Sequence, residues 1–237
     1  MHFFNPVAQM PLVEVVRTPR TDEATLATAF AVVAACGKSA VAVRDAPGFV
    51  VNRVLVRLLG EVLGALEEGT DLDVADRALQ PMGLPMGPFP LLQLVGPAVA
   101  LHVLTELREG LGDRFPESPG LASLVRDGQP FVRFQGRPEA TSPVDPGIAS
   151  RFGSRPGTPL DEAGLLRRVQ DALAQEVRLL LDDGVVAEPQ DVDLAMVLGA
   201  GWPGFLGGIT PYLDRCGAAQ RVTGRRFLAP GVASRPQ

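Results

Sequence analysis

The chain has 237 residues, of which 46% are hydrophobic, 21% charged and 5% aromatic, enough for a sizeable core of Ala, Val and Leu in helices and parallel strands rather than a β-sandwich. Its formal charge of −5 excludes general nucleic-acid binding, which needs a basic face against phosphates, and leaves anionic ligands to local clusters or helix N-termini. Two distant cysteines, Cys36 and Cys216, make neither a disulfide framework nor a zinc site, and no metal site is expected; with no signal-peptide pattern and no apolar run long enough to span a bilayer, the expected compartment is the cytoplasm, without a membrane partner.

The chain opens MHFFNPVAQMPLVEVV. Residues 11–17 (PLVEVVR) read as a strand from their β-branched content. Alternation places Leu12, Glu14 and Val16 on one face of it, and a carboxylate there is costly unless donors or a cation meet it. Two readings stay open. Glu14 points to solvent at a sheet edge, or the turn at Asn5-Pro6 folds the chain back and brings His2 beside it. A helix follows, capped by Thr21 or Asp22, acidic at Glu23 and stopped by Gly37, with Cys36 expected to be buried at its end. SAVAV (39–43) is then a second strand, completing a β-α-β unit.

Beyond RDAPG the apolar spacing turns helical. FVVNRVLVRLLGEVLGALEEG (49–69) is a long amphipathic helix, and TDLDVADRALQ a shorter one capped by Thr70 or Asp71. GLPMGPFPLLQLVG makes a Gly/Pro turn into a short helix, and PAVALHVLTELREGLG a further helix in which His102 is a surface or packing residue. Residues 112–160, rich in Pro, Gly and Ser, read as a linker with an exposed middle. LDEAGLLRRVQDALAQEVRLLLDDG resumes with a long helix, then come EPQDVDLAMVLGAG and WPGFLGGITPYLDRCG, and the tail from Ala218 reads as poorly ordered.

The helical region repeats itself. GEVLGALEEG (60–69) aligns with QEVRLLLDDG (175–184), ADRAL (75–79) with VDLAM (192–196), and GLPMGPF (83–89) with GAGWPGF (199–205), all offset by about 115–117 residues. The two copies are expected to pack on one another, within one chain or as a homodimer.

His2-Phe3-Phe4-Asn5-Pro6, LVEVV with its glutamate, and PGFVVNR (47–53) together resemble the 3-hydroxyacyl-CoA dehydrogenase family. The duplicated helices are similar to the two C-terminal helical domains of its long, multifunctional members. The resemblance implies a mainly α fold: a terminal β-α-β piece of a Rossmann-type domain (1–46), a first helical domain (47–127), a linker (128–160) and a second helical domain (161–237). It also implies NAD-dependent oxidation of (S)-3-hydroxyacyl-CoA to 3-oxoacyl-CoA in β-oxidation. His2 would be the general base, since imidazole accepts and returns a proton near neutral pH, and Glu14 would orient its ring. Asn5 would meet the nicotinamide end of NAD, and Asn52 the substrate near its thioester. Tyr212, in WPGFLGGITPYLD, would lie near the acyl-CoA or serve as a structural phenol. Family members also carry a GxGxxG turn after a strand for the cofactor diphosphate; the run here with that spacing, GAGWPG (199–204), lies in a helical context with no strand before it and does not substitute. The expectation is therefore a chain holding only the last β-α-β of a cofactor domain, as a fragment or through a mis-assigned start, and inactive alone. The alternative is a non-catalytic helical module for oligomerisation or acyl-CoA binding.

Overall fold

The computed structural model describes residues 1–134 and 143–232. In chain order its elements are β1 (His2–Phe3), β2 (Leu12–Arg17), α1 (Glu23–Ala35), β3 (Ser39–Arg44), α2 (Val51–Glu67), α3 (Leu72–Arg77), α4 (Pro88–Val95), α5 (Pro97–Leu111), α6 (Pro119–Asp127), α7 (Glu162–Asp182), α8 (Pro189–Ala200), α9 (Ile209–Arg215) and α10 (Ala218–Thr223). Two compact units result: Met1–Val54 with Leu173–Gln237, and Leu55–Ala172. Among the described residues no single helix is long and apolar enough to cross a membrane.

The first unit is built on a three-stranded sheet of order β1-β2-β3. β1 runs antiparallel to β2, pairing His2 with Glu14, while β2 and β3 run parallel from Leu12↔Ser39 to Arg17↔Arg44. α1 is the crossover between them, started by Asp22, whose side chain accepts from Thr25 N at 2.7 Å. Its Val33 closes a core with Val13 and Val15, against which Phe3, Leu26 and Phe30 pack. Each buried side chain of this size contributes about 1.5–3 kcal/mol.

The opposite face of β2 and β3 is covered by α8. The approach is tight at Gly199, where a Cβ would meet Leu12 Cδ2 at 2.6 Å and Val51 Cγ2 at 2.8 Å. Between α7 and α8 the chain also bonds to the end of β3, Arg44 N donating to Val185 O at 2.8 Å. These contacts correct the expected fold class. Two all-helical domains do not follow the β-α-β piece. The second helical repeat instead forms one compact unit with the strands, because its α8 supplies the apolar cover that β2 and β3 need on their second face. α10 and residues 227–228 correct the reading of a disordered tail: Ala218 and Ala219 are fully buried, and Asp214 accepts from Phe227 N and Leu228 N at 2.9 and 3.0 Å. Cys36 is exposed rather than buried, since it caps α1 at the helix's solvent end.

The second unit is helical. Phe89 stacks on Phe131 with ring centroids 5.6 Å apart, and both are fully buried with Phe115. The Pro/Gly-rich stretch 112–160 is not linker throughout: on the two sides of its middle it holds α6 and buries Phe131 and Ile148. Glu67, itself 0% exposed, anchors this stretch by accepting from Ser118 Oγ, Gly120 N and Ser154 Oγ at 3.0, 2.7 and 2.7 Å. Residues 135–142 of the expected linker lie outside the described residues.

Candidate active site

Antiparallel pairing of β1 with β2 sets His2 directly across from Glu14. The side chains meet: His2 Nδ1 lies 2.7 Å from Glu14 Oε2. The solvent-edge reading of Glu14 is thereby overturned. β2 is the central strand, α8 covers one of its faces, and Glu14 is 0% exposed while His2 remains 30% exposed.

The other oxygen of Glu14 is equally committed. Oε1 accepts from Val50 N and Val51 N, both at 3.1 Å, at the start of α2. Free amides at a helix N-terminus favour an anion, so the carboxylate is satisfied by two donors and one imidazole rather than by a cation. The turn that aims those amides is Ala46-Pro47-Gly48-Phe49. Gly48 has φ +70° and Phe49 has φ +46°, an unusual value for a residue with a side chain, costing about 1–3 kcal/mol. What that conformation gains is visible in the site: the Phe49 ring lies 5.4 Å from the His2 ring, and Phe4 packs edge-on against it at 4.6 Å.

These contacts define the imidazole chemically. An ionised carboxylate only accepts, so Nδ1 carries the proton and Nε2 is left as the basic nitrogen on a ring that is partly open to solvent. Such a couple can take a proton from a bound hydroxyl and return it, with the carboxylate stabilising the imidazolium.

Of the residues implied by the resemblance, His2 and Glu14 are thus brought together. Asn52 follows Val51 in the first turn of α2 and is half-buried; Asn5 is exposed just beyond β1, before a cis peptide bond to Pro6. Tyr212 is buried in α9, edge-on to Trp202 with centroids 5.8 Å apart. α9 is itself fixed by Asp193, which accepts from Thr210 N and Thr210 Oγ1 at 2.7 and 2.6 Å. Burial pushes the Asp193 carboxyl up to about 6, against the pull of those Thr210 bonds. His102 is exposed on α5 beside Glu106. A separate cavity of about 570 Å³ opens where β2 and β3 end, lined by Arg17, Thr18, Arg44 and Val185 among others, and none of the implied site residues lines it. Sequence reasoning missed Phe4, Phe49, and the amides of Val50 and Val51. The signal for the last three was the PGF turn preceding an apolar helix.

The first 46 residues match the model of the 3-hydroxyacyl-CoA dehydrogenase NAD binding domain, and residues 48–132 that of the 3-hydroxyacyl-CoA dehydrogenase C-terminal domain. A Rossmann-type start joined to a helical C-terminal domain thus replaces the fold class expected from sequence. The chain is 36% identical over 229 residues to the fatty acid oxidation complex subunit alpha of Shewanella sp. (strain W3-18-1), covering 94% of this chain and 32% of that protein. It is 35% identical to the same subunit of Shewanella baltica (strain OS155), again with 94% and 32% covered. The chain therefore spans about a third of the length of the curated relatives it matches. In fold it is similar to 3-hydroxybutyryl-CoA dehydrogenase of Escherichia coli K12, with a TM-score of 0.68 at 24% identity over 98% of this chain and 68% of that one. Mycobacterium tuberculosis FadB2 matches at 36% identity and TM-score 0.51 over 54% of this chain and 47% of that one.

Proposed function

Since this chain belongs to the 3-hydroxyacyl-CoA dehydrogenase family of fatty acid oxidation, we propose that it carries the acid–base couple of an NAD-dependent oxidation of (S)-3-hydroxyacyl-CoA to the 3-oxoacyl-CoA. His2 is the general base: its Nε2 takes the proton of the C3 hydroxyl, and in the reverse direction returns it. Glu14 holds the ring in that tautomer and stabilises the imidazolium. Asn52, beside the amides that hold Glu14, hydrogen-bonds the substrate near its thioester, and Tyr212 belongs to the acyl-CoA surface. The observation that carries this reading is the 2.7 Å contact of His2 with a carboxylate that is otherwise fully engaged by Val50 N and Val51 N.

NAD, when bound, supplies the hydride acceptor. The residues present fit only its nicotinamide end, where Asn5 stands exposed three residues after His2. The run with GxGxxG spacing, Gly199 to Gly204, closes the C-terminal end of α8 and does not join a strand to a helix N-terminus, so these 237 residues alone are expected to hold the dinucleotide poorly.

Two titrations test the proposal together. Calorimetry should show saturable binding of acetoacetyl-CoA that is tighter than binding of CoA and weakened by Asn52→Ala. NADH fluorescence should remain unsaturated with the same protein. Equal binding of CoA and acetoacetyl-CoA would remove the assignment of the reacting end to this chain, and saturation by NADH would refute the incomplete cofactor site.

A further inference from the structure

One buried cation in the first unit has no part in the chemistry described above. Arg53, in the first turn of α2, is 1% exposed. Its Nε donates to Glu176 Oε1 at 2.5 Å and its Nη2 to Asp183 Oδ2 at 3.1 Å. A guanidinium taken wholly out of water repays its desolvation poorly, so its presence here is weak evidence of a stabilising role and asks for another.

The second unit contains the same arrangement. Arg168 donates to Glu61 and Glu68, with its Nη1 2.6 Å from Glu68 Oε2. All three positions are offset by 115 residues from those of the first unit: Arg53 corresponds to Arg168, Glu61 to Glu176 and Glu68 to Asp183. Duplication thus produced two copies of one ionic clamp, one in each unit. They differ in the backbone that each arginine fixes. Arg53 N closes onto Gly48 O at 3.1 Å, spanning Phe49, Val50, Val51 and Asn52. That loop presents the two amides that hold Glu14 and the ring that packs on His2. The Arg168 clamp has no such attachment, since Arg168 sits well inside α7.

We propose that Arg53, gripped by Glu176 and Asp183, is a positioning residue for the His2–Glu14 couple. By fixing the first turn of α2 it aims Val50 N and Val51 N at Glu14 Oε1, which leaves Oε2 to fix the tautomer and orientation of His2. The Arg168 clamp is a structural twin without this duty. The inference rests on the reading of His2 as a base, but its test needs neither substrate nor cofactor.

The test uses NMR of the full chain. Arg53→Lys keeps the charge and removes the planar fork that reaches two carboxylates at once. Relative to the unmodified protein, Val50 and Val51 amides should then exchange at least about tenfold faster, as local opening becomes easier. Long-range ¹H–¹⁵N spectra should show the His2 ring leaving its single Nδ1-protonated tautomer. Arg168→Lys should lower the thermal midpoint without touching either signal. Should Arg53→Lys fail to fold, Asp183→Asn removes one arm of the grip while the Glu176 pair stays, and should shift both signals in the same direction. Equal protection of Val50 and Val51 and an unchanged His2 tautomer in the Arg53-side variants would overturn the proposal. Failure of the dehydrogenase reading would register separately, as indifference to acetoacetyl-CoA.

Discussion

Replacing Glu14 by Gln changes one atom and inverts the logic of the site. The amide can keep its carbonyl oxygen on Val50 N and Val51 N, as Glu14 Oε1 does at 3.1 Å, but its NH2 then faces His2 Nδ1. A donor meets a donor unless the ring gives up its Nδ1 proton and carries it on Nε2. That is the wrong nitrogen for a base. The stability cost follows from the bonds: hydrogen bonds to a charged acceptor are each worth about 1.5–3 kcal/mol and neutral ones about 0.5–1.5, so three weakened bonds lose about 3–4.5 kcal/mol. At about 2–4 °C per kcal/mol for a chain of this size, the thermal midpoint should fall by roughly 6–18 °C. Glu14→Ala, which strands both amides and leaves a void, should cost more. Calorimetric melting of both variants, with ring ¹⁵N shifts of His2, is the assay. The reasoning is refuted if Glu14→Gln leaves His2 in its original tautomer, or if Ala proves no more damaging than Gln.

Other outcomes are equally definite. Gly199→Ala sets a methyl 2.6 Å from Leu12 Cδ2 and 2.8 Å from Val51 Cγ2, and should destabilise by about 1–3 kcal/mol in urea unfolding through overpacking between α8 and the sheet. Glu67→Ala removes the shared acceptor of Ser118, Gly120 and Ser154, so hydrogen exchange should quicken over α6 while the amides of β2 keep their protection. Asp193 titrates near 6 in the folded chain against an ordinary 3.8, so the folded state binds the proton more tightly; its contribution is full below pH 3.8 and lost as pH rises through 6. That loss amounts to about 3 kcal/mol, and Asp193→Asn should flatten the fall in stability between pH 4 and 7.

Much of the site was legible because it is local in sequence. Asn5-Pro6 and a strand with one misplaced glutamate raised the pairing of His2 with Glu14 as one of two readings, and PGF before an apolar helix marked the start of α2. What the sequence withheld was the third dimension of burial. Glu14 reads as an edge residue because β1 is only two residues long, too short to announce itself as the strand that makes β2 central. Phe131 and Ile148 lie in short apolar runs broken by Pro, Gly and Arg, so no helical or strand periodicity flags them as core. α8 reads correctly as a helix, yet helical spacing does not say which surface its Gly199 face will meet. The Arg53 clamp was visible only in retrospect, as a repeat of charges at the same offset as the repeat of apolar residues.

The central claim is that His2 Nε2 is a base facing the reacting end of an acyl-CoA. It is tested most directly by following the ring ¹⁵N resonances of the chain's two histidines while acetoacetyl-CoA is added. The account predicts that His2 Nε2 shifts progressively to saturation, that Nδ1 stays protonated, and that His102 does not respond. A His2 ring that ignores the ligand while it binds, or one that is protonated on Nε2 from the outset, would contradict it.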